Sequence, residues 1–257
     1  MSHQTRVIML FIHAGGAGKT STTRDLGYEL ARRGKRVLLI DLDPQANLTS
    51  WLGKYEITPE QTVQAALADY SPLPEPLEAY GMHLIPSHLS LARTEGQLGG
   101  MTNPEGRLKV AIDAVRASGR YDYILLDAPP SLGKMTANAA NAADWVIVPL
   151  PPTLKGLDAL PGVQEMIGEY SRTNPGLKVA MYLVTHMNQT KASREVMEVY
   201  QEMLGDQLTG PMVLRPAIYA NCQNAGRPID GSSKDEADAR AEIIQATDAL
   251  LQRVGDA

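Results

Sequence analysis

At 257 residues the chain can bury a substantial core, and 44% hydrophobic against 21% charged residues is ordinary for a soluble globular protein. A formal net charge of −5 excludes a surface that grips nucleic acid all round, while leaving room for a local basic patch. The single cysteine, Cys222, excludes an internal disulfide, and no apolar run reaches the roughly 18–20 residues that cross a membrane.

An apolar run at 7–12 leads into Ala14-Gly15-Gly16-Ala17-Gly18-Lys19-Thr20 and then a helical pattern over 22–33. The run starts too near the N-terminus to leave room for a signal peptide. Strand, glycine-rich turn and helix form the setting of a phosphate-binding loop. Glycines let backbone N–H groups converge on one centre, and a helix N-terminus adds partial positive charge. The candidate nucleotide contacts are therefore Gly15, Gly16, Ala17, Gly18, Lys19, Thr20 and Ser21. Lys19 is expected on the β- and γ-phosphates, and the Thr20 hydroxyl on Mg²⁺. His13 stands where the common loop has its first glycine, so the motif is not the ordinary version.

Further along, a strand at 36–40 ends in Asp41-Leu42-Asp43-Pro44. Helices are expected at 45–52 and 57–68, a proline-rich loop at 71–76, and a strand at 82–86. Helices at 89–98 and 104–117 precede the clearest buried strand, 121–127, which is stopped by Ala128-Pro129-Pro130. A helix at 133–143 and a strand at 145–150 follow, then a proline-rich loop at 151–156 carrying Lys155. The remaining pattern is helix 157–170, strand 178–184, helix 193–204, a short strand at 211–214 and helix 237–254. In helix 193–204, Val196, Val199, Tyr200 and Met203 are expected to face inward. Short strands alternating with longer helices predict an α/β fold: a doubly wound, mostly parallel sheet with helices on both faces, in one domain spanning 1–257.

Asp41, Asp43 and Asp127 all stand at predicted strand ends, where such sheets place their ligands. Asp127 fits the strand-borne aspartate that holds Mg²⁺ directly or through water. Asp43 is a second metal candidate and is also open to positioning a water in line with the γ-phosphate. The histidines (His3, His13, His83, His88, His186) show no metal-ligand spacing with Cys222, so no zinc site is expected.

The loop through Thr20, then Asp41-Leu42-Asp43-Pro44-Gln45-Ala46-Asn47, then Tyr121 to Gly133 together resemble the ParA-type ATPases of the MinD/ParA group. The likeness runs from the N-terminus to about residue 160, and more weakly to Gly226-Arg227-Pro228-Ile229. The resemblance implies a P-loop fold, MgATP and an ATP-dependent homodimer. It also implies slow hydrolysis stimulated by a ParB-like or adaptor protein, and non-specific binding to nucleoid DNA in the cytoplasm. It puts Asp43 on the water-activating aspartate and Asp127 on the Mg²⁺-linked one.

Two departures matter. The family's first loop lysine, which reaches the partner's ATP, is Ala14 here. Lys155 is the candidate replacement, as in some carboxysome-positioning relatives that supply this lysine from the second half of the chain. Relatives also carry a DNA-contacting basic residue where Ile218 stands, leaving Arg215, Arg227 and Lys234 as DNA candidates, with Arg240 adding charge. Arg215 and Asn188 are alternatively contacts for the adenine. Helix 237–254 sets Asp238, Glu242 and Asp248 against Arg240 and Arg253, without lysine or aromatic residues. That balance predicts a core helix and no membrane partner, unlike the basic lipid-binding helix of MinD-like members.

The resulting expectation is an ATPase that partitions a plasmid or chromosome and lacks an N-terminal DNA-reading domain. Ala14 also favours positioning of a protein compartment, and the missing lysine leaves open a nucleotide-binding switch with little hydrolysis. An iron–sulfur scaffold or nitrogenase-reductase relative would need paired cysteines, for which Cys222 alone is a poor fit.

Overall fold

A computed structural model describes residues 5–256, so His3 lies outside the described residues. The strands are β1 (Arg6–Leu10), β2 (Val37–Asp41), β3 (Leu77–Ala79), β4 (Met82–Ile85), β5 (Tyr123–Asp127), β6 (Trp145–Leu150), β7 (Lys178–Val184) and β8 (Leu208–Thr209). They form one sheet in the order β3-β4-β2-β5-β1-β6-β7-β8. Every neighbouring pair is parallel except the β3–β4 hairpin at one edge. The central strands are apolar on both faces, as a sheet covered on both sides requires.

Side chains alternate across the sheet with a period of two, and the helices sort accordingly. Val7, Met9, Ile124 and Leu126 pack against α3 (Gln64–Asp69), α4 (Leu91–Leu98), α5 (Arg107–Ser118), α6 (Lys134–Ala142), α7 (Leu154–Thr173) and α8 (Lys191–Leu204). Ile8, Leu10, Tyr123 and Leu125 pack against α1 (Lys19–Arg32), α2 (Asn47–Trp51), α9 (Pro216–Asn224) and α10 (Lys234–Arg253). The doubly wound, mostly parallel α/β architecture read from the sequence is the one found. It turns the carboxyl ends of β1, β2 and β5 toward one crevice, because these strands run side by side in parallel.

Several local expectations need correction. The helix expected over 57–68 is a 3₁₀ turn (Pro59–Gln61) followed by α3. Thr62 between them is extended, and its hydroxyl bonds the Pro59 carbonyl (2.7 Å) and accepts from Gln64 N (3.2 Å), competing with the helix. The strand expected at 211–214 is displaced to β8, since Gly210 at φ +106° turns the chain away. Val213 keeps only an isolated bridge to Met187. The proline-rich loop of 151–156 ends early, because Thr153 caps α7 by accepting from Gly156 N (3.1 Å). Lys155 therefore sits in the first turn of a helix. Met203 is exposed, and Leu204 takes the inward position in its place. Neither β3 nor α9 was anticipated, although Pro216 at the first helical position is a helix-start signal.

Candidate nucleotide site

The phosphate loop occupies the sharp connection between β1 and α1. Gly16 and Gly18 have φ of +73° and +86°, values that disfavour any residue with a Cβ. Gly18 is also the residue from which α1 springs, so the free N–H groups of the first helical turn face the loop's interior. His13, in place of the usual glycine, braces the loop. Its Nδ1 lies 2.8 Å from the Pro130 carbonyl after β5, and since a carbonyl only accepts, Nδ1 carries the proton.

Lys19 is buried and folded back over the loop, with Nζ 3.4 Å from the Ile12 carbonyl and 3.3 Å from that of Ala14. These are long, weak contacts that a phosphate oxygen can replace. Burial holds the ammonium below its ordinary pKa, against the pull of Asp127 and Asp43.

Asp127 ends β5 with 1% of its surface exposed. Its Oδ1 is 3.2 Å from the Thr23 hydroxyl, which also reaches the Lys19 carbonyl at 3.0 Å and serves one acceptor at a time. Its buried Oδ2 has no hydrogen-bond partner among the described residues. Burial raises the Asp127 pKa, opposed by the Thr20 hydroxyl and Lys19. A buried oxygen left open beside a threonine hydroxyl suits a hard cation, so Thr20 and Asp127 fit Mg²⁺ held directly or through water.

The two aspartates after β2 have different tasks. Asp41 is fully buried, and its Oδ2 accepts from Thr49 N (2.9 Å) and Thr49 Oγ1 (2.7 Å) while Oδ1 accepts from Asp43 N (3.2 Å). It is a brace that ties α2 to β2, and burial together with the Asp127 charge raises its pKa. Asp43 is half-buried and faces the loop, its Oδ1 fixed by Gln45 N at 2.9 Å. A cavity of about 230 Å³ is lined by residues 15–21, Asp43, Gln45, Asn47, Trp51 and Pro130. Asn47 and Trp51 were not anticipated as site residues, yet their spacing of four on α2 puts both on one helix face.

The other candidates lie outside this cavity. Lys155 is exposed on α7 and makes no ion pair among the described residues. The Asn188 Oδ1 accepts from Thr190 N (3.0 Å) and Thr190 Oγ1 (2.6 Å), a turn that leads into α8. Arg215 forms a two-pronged pair with Glu242 (2.7 and 2.8 Å), and Arg227 pairs with Glu236 (2.7 and 3.1 Å). Arg240 reaches Glu29 at 3.3 Å. Lys234 is exposed at the start of α10 with no ion pair among the described residues. No described helix is long and apolar enough to cross a membrane.

The loop, the buried lysine and the strand-end aspartate define a P-loop nucleoside triphosphatase. The family model AAA_31, described as an AAA domain, matches residues 5–179. A probable plasmid-partitioning protein ParA of Thermus thermophilus is 41% identical over 261 residues, covering 97% of this chain and 79% of that protein. The sporulation initiation inhibitor protein Soj of Bacillus subtilis is 34% identical over 231 residues, covering 87% of this chain and 90% of its own. Among solved structures, cobyrinic acid a,c-diamide synthase of Mycobacterium smegmatis with bound ADP and magnesium has a TM-score of 0.78 at 30% identity, over 98% and 96% of the two chains. A Cyanothece McdA variant in complex with ATP has a TM-score of 0.82 at 21% identity, over 98% and 97%, a likeness of fold alone. The chain belongs to the ParA family of partitioning ATPases.

Proposed function

We propose that this protein binds MgATP, dimerises across the bound nucleotides, associates with DNA without sequence preference and hydrolyses ATP slowly until a ParB-like or adaptor protein stimulates it. Its place is the cytoplasm, on the nucleoid, and its cargo a plasmid or chromosome. The observation that carries the reading is the unserved buried oxygen of Asp127, beside the first turns of α1, whose Lys19 is held over a preformed phosphate loop. The sequence likeness to partitioning proteins supports the cargo class.

When bound, MgATP supplies the bond to be broken and part of the charge neutralisation. The remaining roles belong to the chain. Backbone N–H groups of residues 15–20 cradle the phosphates, and Lys19 exchanges two weak carbonyl contacts for phosphate oxygens. Thr20 and Asp127 hold the metal. Asp43, fixed by Gln45 N and facing the loop, orients the attacking water.

Lys155 is assigned the cross-dimer contact that Ala14 cannot make. An exposed cation without an internal partner is available to a second subunit, and removing such a contact near developing phosphate charge can cost orders of magnitude in rate. ATP turnover and dimerisation, with and without DNA, test the whole reading. Measurable turnover that rises with DNA or partner supports it, and tight ATP binding without turnover leaves only a nucleotide switch. Lys155→Ala that dimerises and turns over like the parent removes Lys155 from the mechanism. The missing lysine at Ala14 supports one second reading, positioning of a protein compartment. Replacing the DNA-bound partner with a disordered adaptor in the same assay separates the two.

A further inference from the structure

The phosphate loop is held from outside by a residue far along the chain. Thr185, the first residue after β7, is 2% exposed, and its Oγ1 donates to the Ala17 carbonyl at 2.9 Å. The same residue's N–H donates to the Leu150 carbonyl at 3.1 Å, so the hydroxyl is presented from the sheet itself. His186 follows at φ +56°, a left-handed conformation that is strained for a residue with a side chain. The turn puts His186 Nε2 3.4 Å, and Thr185 Cγ2 3.5 Å, from where a Cβ on Gly18 would stand. Its far side is secured as well. Met212 N donates to the Val184 carbonyl (2.8 Å), and Met187 N to that of Met212 (2.9 Å).

The Ala17 carbonyl and the Gly18 N–H belong to one planar trans peptide, so they point in opposite directions. Anchoring the carbonyl on Thr185 aims the Gly18 N–H toward the opposite, ligand side of the loop. Without the hydroxyl, the Ala17 carbonyl would be a buried acceptor lacking its donor, and the peptide would gain a reason to rotate.

We propose that Thr185 is a positioning residue for the nucleotide, which sets the peptide plane between Ala17 and Gly18 and so preorganises the phosphate cradle. The proposal rests on the nucleotide-binding reading above and adds to it a dependence on the end of β7.

The test is calorimetric titration of the full chain with MgADP, which the protein cannot hydrolyse. Thr185→Val, equal in shape but without the hydroxyl, is expected to weaken MgADP about tenfold. Thr185→Ser, which restores the donor, should bind within about twofold of the parent. Melting temperature, followed in parallel, separates this role from a merely structural one. Thr185→Val that is less stable but binds MgADP like the parent overturns the proposal, as does Thr185→Ser behaving like Thr185→Val. Should Thr185→Val fail to fold, His186→Gly takes its place, because glycine accepts the left-handed turn without cost. By loosening the presentation of the hydroxyl it should weaken MgADP several-fold at an unchanged or higher melting temperature. Parent-like affinity there counts against the clamp. A parent that binds no MgADP sinks the nucleotide reading and the clamp with it.

Discussion

Replacing Asp127 by asparagine is expected to stabilise the nucleotide-free protein while removing most of its response to magnesium and nucleotide. In the parent the carboxylate is buried at the end of β5 with one oxygen lacking a donor. An unserved buried acceptor costs about 1–3 kcal/mol. The amide is isosteric and keeps an oxygen for the Thr23 hydroxyl, but it exchanges the unserved charged oxygen for an unserved neutral N–H group, so only the charged part of the cost is relieved. It also lifts the negative charge that raises the pKa of neighbouring Asp41. Taking ~1 kcal/mol for the relieved charge and roughly 2–4 °C per kcal/mol for a chain of this size, Asp127→Asn should melt roughly 2–4 °C above the parent without ligand. Burial raises the folded-state pKa of Asp127 above its unfolded value. The parent therefore loses stability as pH climbs through that interval, and the penalty is complete above it. The gap between the two proteins should widen from about pH 4 to about pH 7. Ligand linkage then runs the other way. At a free MgADP concentration 100 times the Kd, the parent gains about 2.7 kcal/mol, and Asp127→Asn should gain little of it. Thermal melts with and without MgADP at both pH values make the measurement. A variant less stable than the parent at the higher pH, with an undiminished MgADP shift, would refute the assignment of the orphan oxygen to the metal.

Asp43→Ala should keep MgADP affinity within about threefold while ATP turnover falls about a hundredfold or more, since its contribution lies in positioning water; phosphate release and calorimetry read the two quantities. MgADP should change the emission of Trp51, which lines the cavity, and a Trp51→Phe variant, which keeps Trp145 at the start of β6, should lose that response. Ala46 caps α2 at φ +54°, so Ala46→Gly should raise stability by about 0.5–1 kcal/mol in denaturant unfolding, the relief of the left-handed strain outweighing the greater chain entropy of glycine.

The parts legible in the sequence were those governed by short-range physics. Buried parallel strands such as Tyr123–Asp127 announce themselves as unbroken apolar runs, and the loop from Gly15 to Thr20 carries its geometry in its glycines. What escaped was set by distant contacts. Thr185 is 168 residues from Ala17, and nothing in its neighbourhood signals the bond. Asp41 and Asp43 look equivalent on paper, and only the donors supplied by Thr49 make one a brace and leave the other facing the cavity. Arg215 and Arg227 read as free cations because their partners, Glu242 and Glu236, lie on α10, and each pairing depends on folds of the chain that no local pattern specifies.

Those two pairs bear on how the protein would let go of DNA. A nucleic-acid phosphate that reaches Arg215 or Arg227 must first displace a carboxylate already seated there, so one anion is traded for another. Such an exchange frees few condensed counterions, whereas contacts through Lys234 would free them in the usual way. The logarithm of affinity should then fall with the logarithm of salt less steeply than a tally of arginines and lysines on that face suggests. If the proposed DNA binding holds, a grip built like this is shallow in energy and lets one stretch of DNA be exchanged readily for another.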